Sequence, residues 1–344
     1  MMKRRTKVTA SNNITINGIR KVLERNDNFL VFMHENPDSD TIGSALALVL
    51  TLRSVGKRAY MACCDKIPQS LMFLTDGERC FGIEDLPGDF TPKFLISVDI
   101  ASPNQLGKYH YLAAKIDLAL DHHSCHDDLA CYRFVDSGAG ACAEIIYRVI
   151  NRMIQGKIPE KTASLLYAAL AADTGGFRYA NTTPYTHKIA AKLIECGANH
   201  FQICRNLFEM KSKTALAAEA FAMENVKYLC GGKISYVRIT EADKERCGFE
   251  DEDTYDVINV IRRVEGVKVA ILARERTPGV YKISTRSTGD IDMAKICAMF
   301  GGGGHAGAAG CSVAEGDVDE TVDKIIKECG FEKRDIEGRG TAAE

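Results

Sequence analysis

Four apolar runs in the first half of this chain each break off at an aspartate or a histidine, a pattern that points to an open parallel sheet loaded along one edge. Phe29-Leu30-Val31-Phe32-Met33 leads into His34, Asn36, Asp38 and Asp40. Phe94-Leu95-Ile96-Ser97-Val98 leads into Asp99, and Ile116-Asp117-Leu118-Ala119-Leu120 leads into Asp121-His122-His123. A fourth run, residues 165–172, reads as a helix and ends at Asp173, beside Gly175 and Gly176. In an open parallel sheet, the carboxyl ends of the strands are where loops carry chemistry. A single acid there has a plain alternative: Asp40 precedes a helical pattern and has the place of an N-cap. Asp99 has no such alternative, because a buried, unpaired carboxylate at a strand end is costly.

Alternating runs extend the pattern. Residues 14–25 and 40–55 read as helices, residues 29–33 and 57–64 as strands, and the alternation to about residue 121 is that of βαβ units. Residues 139–196 read as mostly helical, interrupted by a loop at 173–183; Pro184 opens the last helix and Gly197 closes it. Residues 200–228 read as further helix with no flexible linker composition, hence a semi-rigid bridge. Beyond it, strands are expected at 234–239, 267–273 and 281–285, and helices at 254–264 and 291–299. The expectation is an α/β protein: a parallel-sheet N-terminal domain (14–199), a helical linker (200–230) and a smaller α/β C-terminal domain (231–331), with the active-site cleft between the domains. The length of 344 residues suits two domains. The helix at 214–226 reads as an intrachain bridge or as a pairing face for a homodimer.

Bulk charge limits the partners. A net charge of −2 gives no general pull toward nucleic acid, so such a ligand must be short and held by a local basic pocket, and no long duplex is expected. The 13 cysteines are odd in number, irregularly spaced and often set in apolar runs, which suits free thiols in a reducing compartment. Cys125-His126 beside the histidine pair hints at zinc, but the spacing of a four-ligand site is missing. The basic start, residues 1–7, is followed by polar residues rather than an apolar run, and no stretch approaches ~20 apolar residues. A soluble cytoplasmic protein without membrane contact is expected.

Carboxylate oxygens combined with imidazole nitrogens suit Mn²⁺, Mg²⁺, Fe²⁺ or Zn²⁺, and the lack of thiolates at these positions argues against a structural zinc. Two such ions ~3.5–4 Å apart share a carboxylate, activate water and clamp a phosphoryl group for in-line attack. On the substrate side, Gly302, Gly303 and Gly304 let backbone N–H groups approach an anion, and His305 with the small residues 307–310 suggests a packed ligand loop. Arg286 follows a strand and can grip a phosphate bidentately, its alternative being an ordinary surface arginine. Arg262 and Arg263 share a helix; one, assigned as Arg262, reaches the ligand and the other is solvated.

The His34-x-Asn36-Pro37-Asp38-x-Asp40 opening, the strand-end Asp99, the Asp121-His122-His123 triplet and the later Asp173 resemble the DHH phosphoesterase superfamily. The Gly-Gly-Gly-Gly-His-x-Gly-Ala-Ala-Gly run from Gly301 resembles its DHH-associated C-terminal domain, so the resemblance spans about residues 14–330. It implies two divalent cations, Mn²⁺ first, with Mg²⁺ and Co²⁺ left open. His34, Asp38 and Asp99 would hold one, and Asp40, Asp99, His122 and Asp173 the other, with Asp99 bridging. His123 would face the substrate phosphate. Asp121 would orient an imidazole or serve as a structural acid, and Asn36 would hydrogen-bond the phosphate or its own turn. The resemblance is strongest to bacterial two-domain enzymes, bifunctional nanoRNases that also dephosphorylate adenosine 3′,5′-bisphosphate. The alternative is a phosphodiesterase for cyclic di-AMP or pApA. A catalytically silent nucleotide-binding protein is a reading of another class, against which the complete ligand set argues. A RecJ-like exonuclease would carry a further nucleic-acid-binding domain, and a pyrophosphatase of this superfamily a different C-terminal domain.

Overall fold

The computed structural model describes residues 12–331 apart from 124–126 and 128–129, so the Cys125-His126 pair lies outside the described residues. The chain divides into two units, Met1–Met210 and Lys211–Glu344.

The first unit is built on a parallel sheet. Its strands are β1 (Asn12–Asn13), β2 (Phe29–Phe32), β3 (Ala59–Ala62), β4 (Phe94–Val98), β5 (Ile116–Asp121) and β6 (Ala130–Val135), in the order β1-β6-β5-β4-β2-β3. Strands buried on both faces read as continuous apolar runs, as β2 and β4 do. Successive side chains alternate between faces. Phe29, Val31, Ile96, Val98, Leu118 and Leu120 join one core, and Leu30, Phe32, Leu95 and Ala119 join another. The first core is covered by α1 (Ile16–Arg25), α2 (Ser39–Ser54), the short α3 (Met72–Thr75), α4 (Cys142–Met153), α5 (Glu160–Asp173), α6 (Pro184–Glu195) and α7 (His200–Cys204). The second is covered by a 3₁₀ segment, Pro103–Lys115, broken at Gly107 (φ 53°), through Leu106, Tyr109 and Ala113. The βαβ alternation did not foresee that segment, nor β6. From β2 the sheet grows toward β3, and from β4 it grows the opposite way, through β5 to β6. The reversal lies between β2 and β4, and open α/β sheets bind ligands in such a crevice.

Helices α2 and α5 meet at Gly43. A Cβ there would stand 2.6 Å from the Leu165 carbonyl oxygen and 2.9 Å from the Ala169 Cβ. This close crossing matters because α2 carries Asp40 and α5 ends on Asp173. Gly43→Ala is therefore expected to destabilise the first unit by about 1–3 kcal/mol, the usual cost of overpacking, even though alanine alone favours helix by about 1 kcal/mol. Urea denaturation measures it; an unchanged or higher midpoint would show that the two helices separate freely.

The second unit carries β7 (Lys227–Leu229), β8 (Ile234–Ile239), β9 (Val269–Thr277), β10 (Val280–Ser287), β11 (Gly303–His305) and β12 (Ala308–Ala314) in one sheet, ordered β11-β12-β10-β9-β8-β7. Among the described residues, only its β8–β9 pair is parallel. Its helices are α8 (Lys213–Asn225), α9 (Glu241–Cys247), α10 (Val257–Ile261), α11 (Met293–Ala298) and α12 (Val318–Glu328). Ala218, Phe221 and Ala222 of α8 are buried with Phe249, Val257 and Ile261, so that face of the expected bridge is used within the chain. Residues 227–229 pair with β8 instead of continuing the helix, and α10 is shorter than its apolar pattern because a 3₁₀ turn, Asp251–Thr254, precedes it.

The glycine run differs most from the sequence reading. Gly303–His305 is a strand, not a loop, paired antiparallel with β12. A Cβ on Gly302 would lie 2.1 Å from the Gly310 carbonyl oxygen, and one on Gly304 would lie 2.5 Å from that of Ala308. Close strand pairing thus requires both glycines, while nothing lies within 4 Å of a Cβ placed on Gly303. Among the described residues, no helix is long and apolar enough to cross a membrane.

Candidate metal centre

The carboxyl edge of the first sheet gathers the acids. Asp38, not Asp40, caps α2: its Oδ1 accepts hydrogen bonds from the backbone N–H of Asp40 (2.9 Å) and Thr41 (3.0 Å). Asp40 lies two residues further in, within the first turn of α2, and is buried. Its carboxylate accepts from Ser44 Oγ (2.9 Å) and from the backbone N–H of Cys142 (2.6 Å) and Ala143 (3.0 Å), the first residues of α4. Helix N-terminal N–H groups lack intrahelical partners and favour an anion.

Asp99 follows β4 in the left-handed region, φ 61°, which aspartate tolerates better than most residues. Its carboxylate is buried between two imidazoles. Oδ2 lies 3.7 Å from His34 Nε2, and Oδ1 lies 3.5 Å from His122 Nε2. Oδ1 has no hydrogen-bond partner among the described residues. His34 Nδ1 is 2.7 Å from the Glu35 carbonyl oxygen and His122 Nδ1 is 3.3 Å from that of Ala139. Each Nδ1–H thereby donates to backbone, leaving the Nε2 lone pair directed at the acids. His34 Nε2 is also 3.7 Å from Asp38 Oδ1, and His122 Nε2 is 3.6 Å from Asp173 Oδ2 and 3.9 Å from Asp40 Oδ2.

These separations are too long for hydrogen bonds. They suit ligand atoms arranged around a common cation with bonds of ~2.0–2.2 Å. His34, Asp38 and Asp99 form one such group and Asp40, His122 and Asp173 another, the atoms of each lying within 4.8 Å of one another. Asp99, His122 and His123 form a third grouping on the same edge.

Electrostatics ask for positive charge here. Burial, then the neighbouring Asp40, Asp38, Asp121 and Asp173, pushes the Asp99 carboxyl well above the usual range. Burial and Asp40 push Asp173 up to about 8. Asp40 is also raised by burial, against the pull of His122. Desolvation lowers His34, but Asp38 outweighs it and lifts the imidazole to about 9; in return, against desolvation, His34 holds Asp38 at about 2. Mixed oxygen and nitrogen donors, an orphaned buried carboxylate oxygen and mutually repelling acids together fit divalent cations.

Asp121 is fully buried; its Oδ1 accepts from the His122 N–H (2.9 Å) and lies 2.7 Å from His123 Nδ1. His123 Nδ1 is also 3.6 Å from Asp99 Oδ1. Asn36 is exposed, with φ 50°, and its N–H donates to Asp65 Oδ2 (2.8 Å), so its backbone serves a turn. In the second unit, Arg286 and Arg262 line one recess together with Lys268, Ser287 and Thr288, and Arg286 Nη1 donates to the Thr285 carbonyl (3.0 Å). Lys268 had no sequence signal, being a single lysine within a run that reads as a strand. Ser44 likewise gave none, since an i+4 serine in a helix is unremarkable until its aspartate is known to be buried. The His305 side chain lies outside the described residues.

Comparison with known proteins follows the same division. Residues 28–170 match the DHH family N-terminal domain, and residues 233–330 match the DHHA1 domain. The chain is 31% identical over 296 residues to the bifunctional oligoribonuclease and PAP phosphatase NrnA of Thermus thermophilus, covering 86% of each protein. It is 24% identical over 303 residues to the protein of the same description from Bacillus subtilis, covering 87% of this chain and 93% of that one. Among solved structures, an exopolyphosphatase-related protein from Bacteroides fragilis superposes with a TM-score of 0.83 at 22% identity, covering 92% of this chain and 95% of that one. At that identity the likeness speaks for the fold.

Proposed function

The chain belongs to the DHH family, and from that premise we propose that it is a two-cation phosphoesterase hydrolysing short oligoribonucleotides and adenosine 3′,5′-bisphosphate. The observation that carries this reading is the Asp99 carboxylate, with one oxygen toward His34 and the other toward His122. The relatives' description as oligoribonuclease and PAP phosphatase supports the substrate class. His34, Asp38 and Asp99 would hold one ion; Asp40, Asp99, His122 and Asp173 would hold the other. Mn²⁺ suits this donor set. When bound, two such ions neutralise phosphoryl charge and activate water for in-line attack.

The protein's own groups supply the rest. As an imidazolium, His123 would donate Nδ1–H to Asp121 and keep Nε2–H to face the phosphate, where it would stabilise charge or pass that proton to the leaving oxygen. Asn36 contributes a hydrogen bond beside it. In the second unit, Arg286 and Arg262, with Gly302, Gly303, Gly304 and His305, would bind nucleotide through charge and backbone N–H groups. A short nucleotide is the substrate in this reading, and the cytoplasm, where free thiols persist, is the compartment.

Hydrolysis with Mn²⁺ of a matched panel tests the reading: RNA of two to five nucleotides, adenosine 3′,5′-bisphosphate, pApA and cyclic di-AMP. Preference for short RNA and the bisphosphate is expected. Preference for cyclic di-AMP would overturn the substrate assignment, and ligand binding with no turnover would favour the silent nucleotide-binding alternative. Arg286→Ala is expected to raise KM roughly 10- to 100-fold, the value of a charged hydrogen bond to phosphate, with metal content unchanged. Loss of bound metal in that variant would count against a substrate role.

A further inference from the structure

We propose that Asn181, acting through residues 139–143, is the positioning residue for one of the two cation sites and not for the other; this rests on the two-cation reading above. The three ligands of the Asp40, His122 and Asp173 group come from distant parts of the chain, yet Asp40 and His122 lean on this one short segment directly and Asp173 is tied to it through Asn181. Ala139 offers its carbonyl oxygen to His122 Nδ1 at 3.3 Å. Cys142 and Ala143 donate their N–H groups to Asp40 at 2.6 and 3.0 Å. Asn181 closes the set: its Nδ2 donates both to the Gly140 carbonyl (2.8 Å) and to the carbonyl of Asp173 itself (3.1 Å). His34 and Asp38 are held elsewhere, His34 by the Glu35 carbonyl and Asp38 by the first turn of α2.

The amide has one workable orientation. Two carbonyl oxygens face it, so the NH₂ must point at them; a flipped amide would set oxygen against oxygen. In this orientation Oδ1 is buried without a hydrogen-bond partner among the described residues. A half-satisfied amide costs stability and suggests that the position serves something other than packing. The segment is also clasped from its other side. Thr186 Oγ1 donates to Glu144 Oε1 (2.6 Å), which accepts from the Gly140 N–H (3.2 Å). A Cβ on Gly140 would stand 3.0 Å from the Asn181 carbonyl oxygen and 3.1 Å from both Glu144 Oε1 and Thr186 Oγ1, leaving the segment little room to shift. Cutting the Asn181 link frees the Asp173 main chain from the frame that holds Asp40 and His122. Partners that orient metal ligands typically change affinity by roughly 10- to 100-fold when removed.

Calorimetric titration of chelator-treated, full-length protein with Mn²⁺, with bound metal counted after desalting, decides the matter. Wild type is expected to take two ions. Asn181→Ala is expected to keep one affinity near wild type and weaken the other roughly 10- to 100-fold, with its circular-dichroism spectrum retained. Equal weakening at both sites, or none, overturns the positioning role. Thr186→Val, which cuts the opposite clasp, is expected to weaken the same ion by a smaller factor and serves if Asn181→Ala does not fold; an unselective or null result there is equally decisive. A wild type that takes only one ion overturns the two-cation reading itself, a distinguishable result.

Discussion

Asp99→Asn is expected to abolish turnover and at the same time to raise the melting temperature of chelator-treated protein. Both effects follow from one buried carboxylate. In the protein without cations, Asp99 is surrounded by Asp40, Asp38, Asp121 and Asp173, and burial together with these charges pushes its carboxyl well above the usual range. A group whose folded pKa is raised penalises the folded state increasingly as pH climbs past its unfolded value. Asparagine has nearly the same shape, tolerates the left-handed backbone at φ 61° and carries no charge, so the penalty disappears. For a unit of this size each kcal/mol relieved is worth about 2–4 °C. The same change removes the ligand that the two ions would share. Electrostatic stabilisation of about 4 kcal/mol or more is then lost, and turnover should fall at least ~10³-fold. Assays with Mn²⁺ and thermal melts with chelator check the two halves. Near-normal activity with two ions bound would sink the shared-ligand assignment, and a lower melting temperature in chelator would show that Asp99 is stabilising by other means.

The second large effect is expected from Mn²⁺. An ion at 100 times its dissociation constant stabilises a folded protein by about 2.7 kcal/mol, so two ions contribute about 5 kcal/mol and about 10–20 °C in melting temperature. The stabilisation grows with pH across the neutral range. Burial and Asp40 hold Asp173 at about 8, so at neutral pH without cations its carboxyl is protonated and an arriving ion must displace that proton. Without cations, stability contributed by this group is lost as pH rises from the ordinary carboxylate range toward 8; with cations bound, the carboxylates behave as depressed groups, and stability is lost instead as pH falls through the acid range. Melting curves at pH 6, 7 and 8, with chelator and with Mn²⁺, separate the two regimes. Calorimetry in buffers of different ionisation enthalpy should register the released proton. Identical melting with and without Mn²⁺ would show that these acids do not hold cations.

Much of this site is legible in the sequence. Parallel strands buried on both faces read as nearly continuous apolar runs, so β2, β4 and β5 announce themselves despite Ser97 and Asp117, and so does the polar residue that follows each run. The helices around Asp173 and the turn at Gly197 were equally plain, because apolar periodicity, Pro184 and a glycine at φ 96° are local signals. In the second unit the glycine run was visible, but its meaning was not. Gly302 and Gly304 are required by the pairing of β11 with β12, whose seven residues, Ala308–Ala314, are too small and mixed to read as a strand. The 3₁₀ cover at Pro103–Lys115 and the strand β6, between β5 and the edge strand β1, lacked a strong period for the same reason.

By itself, then, the sequence determined the α/β class, the acids and histidines at the strand ends and their family, because each of these is written in a contiguous stretch of chain. Tertiary structure alone decided which aspartate caps α2, which oxygen of Asp99 faces which imidazole, and that Lys268 shares a recess with Arg262 and Arg286. It alone joined Asp40 to N–H groups 102 and 103 residues away and Asn181 to a carbonyl 41 residues away. Those bonds connect backbone groups that every residue type carries, at separations no local period can encode, so only the folded chain brings them together.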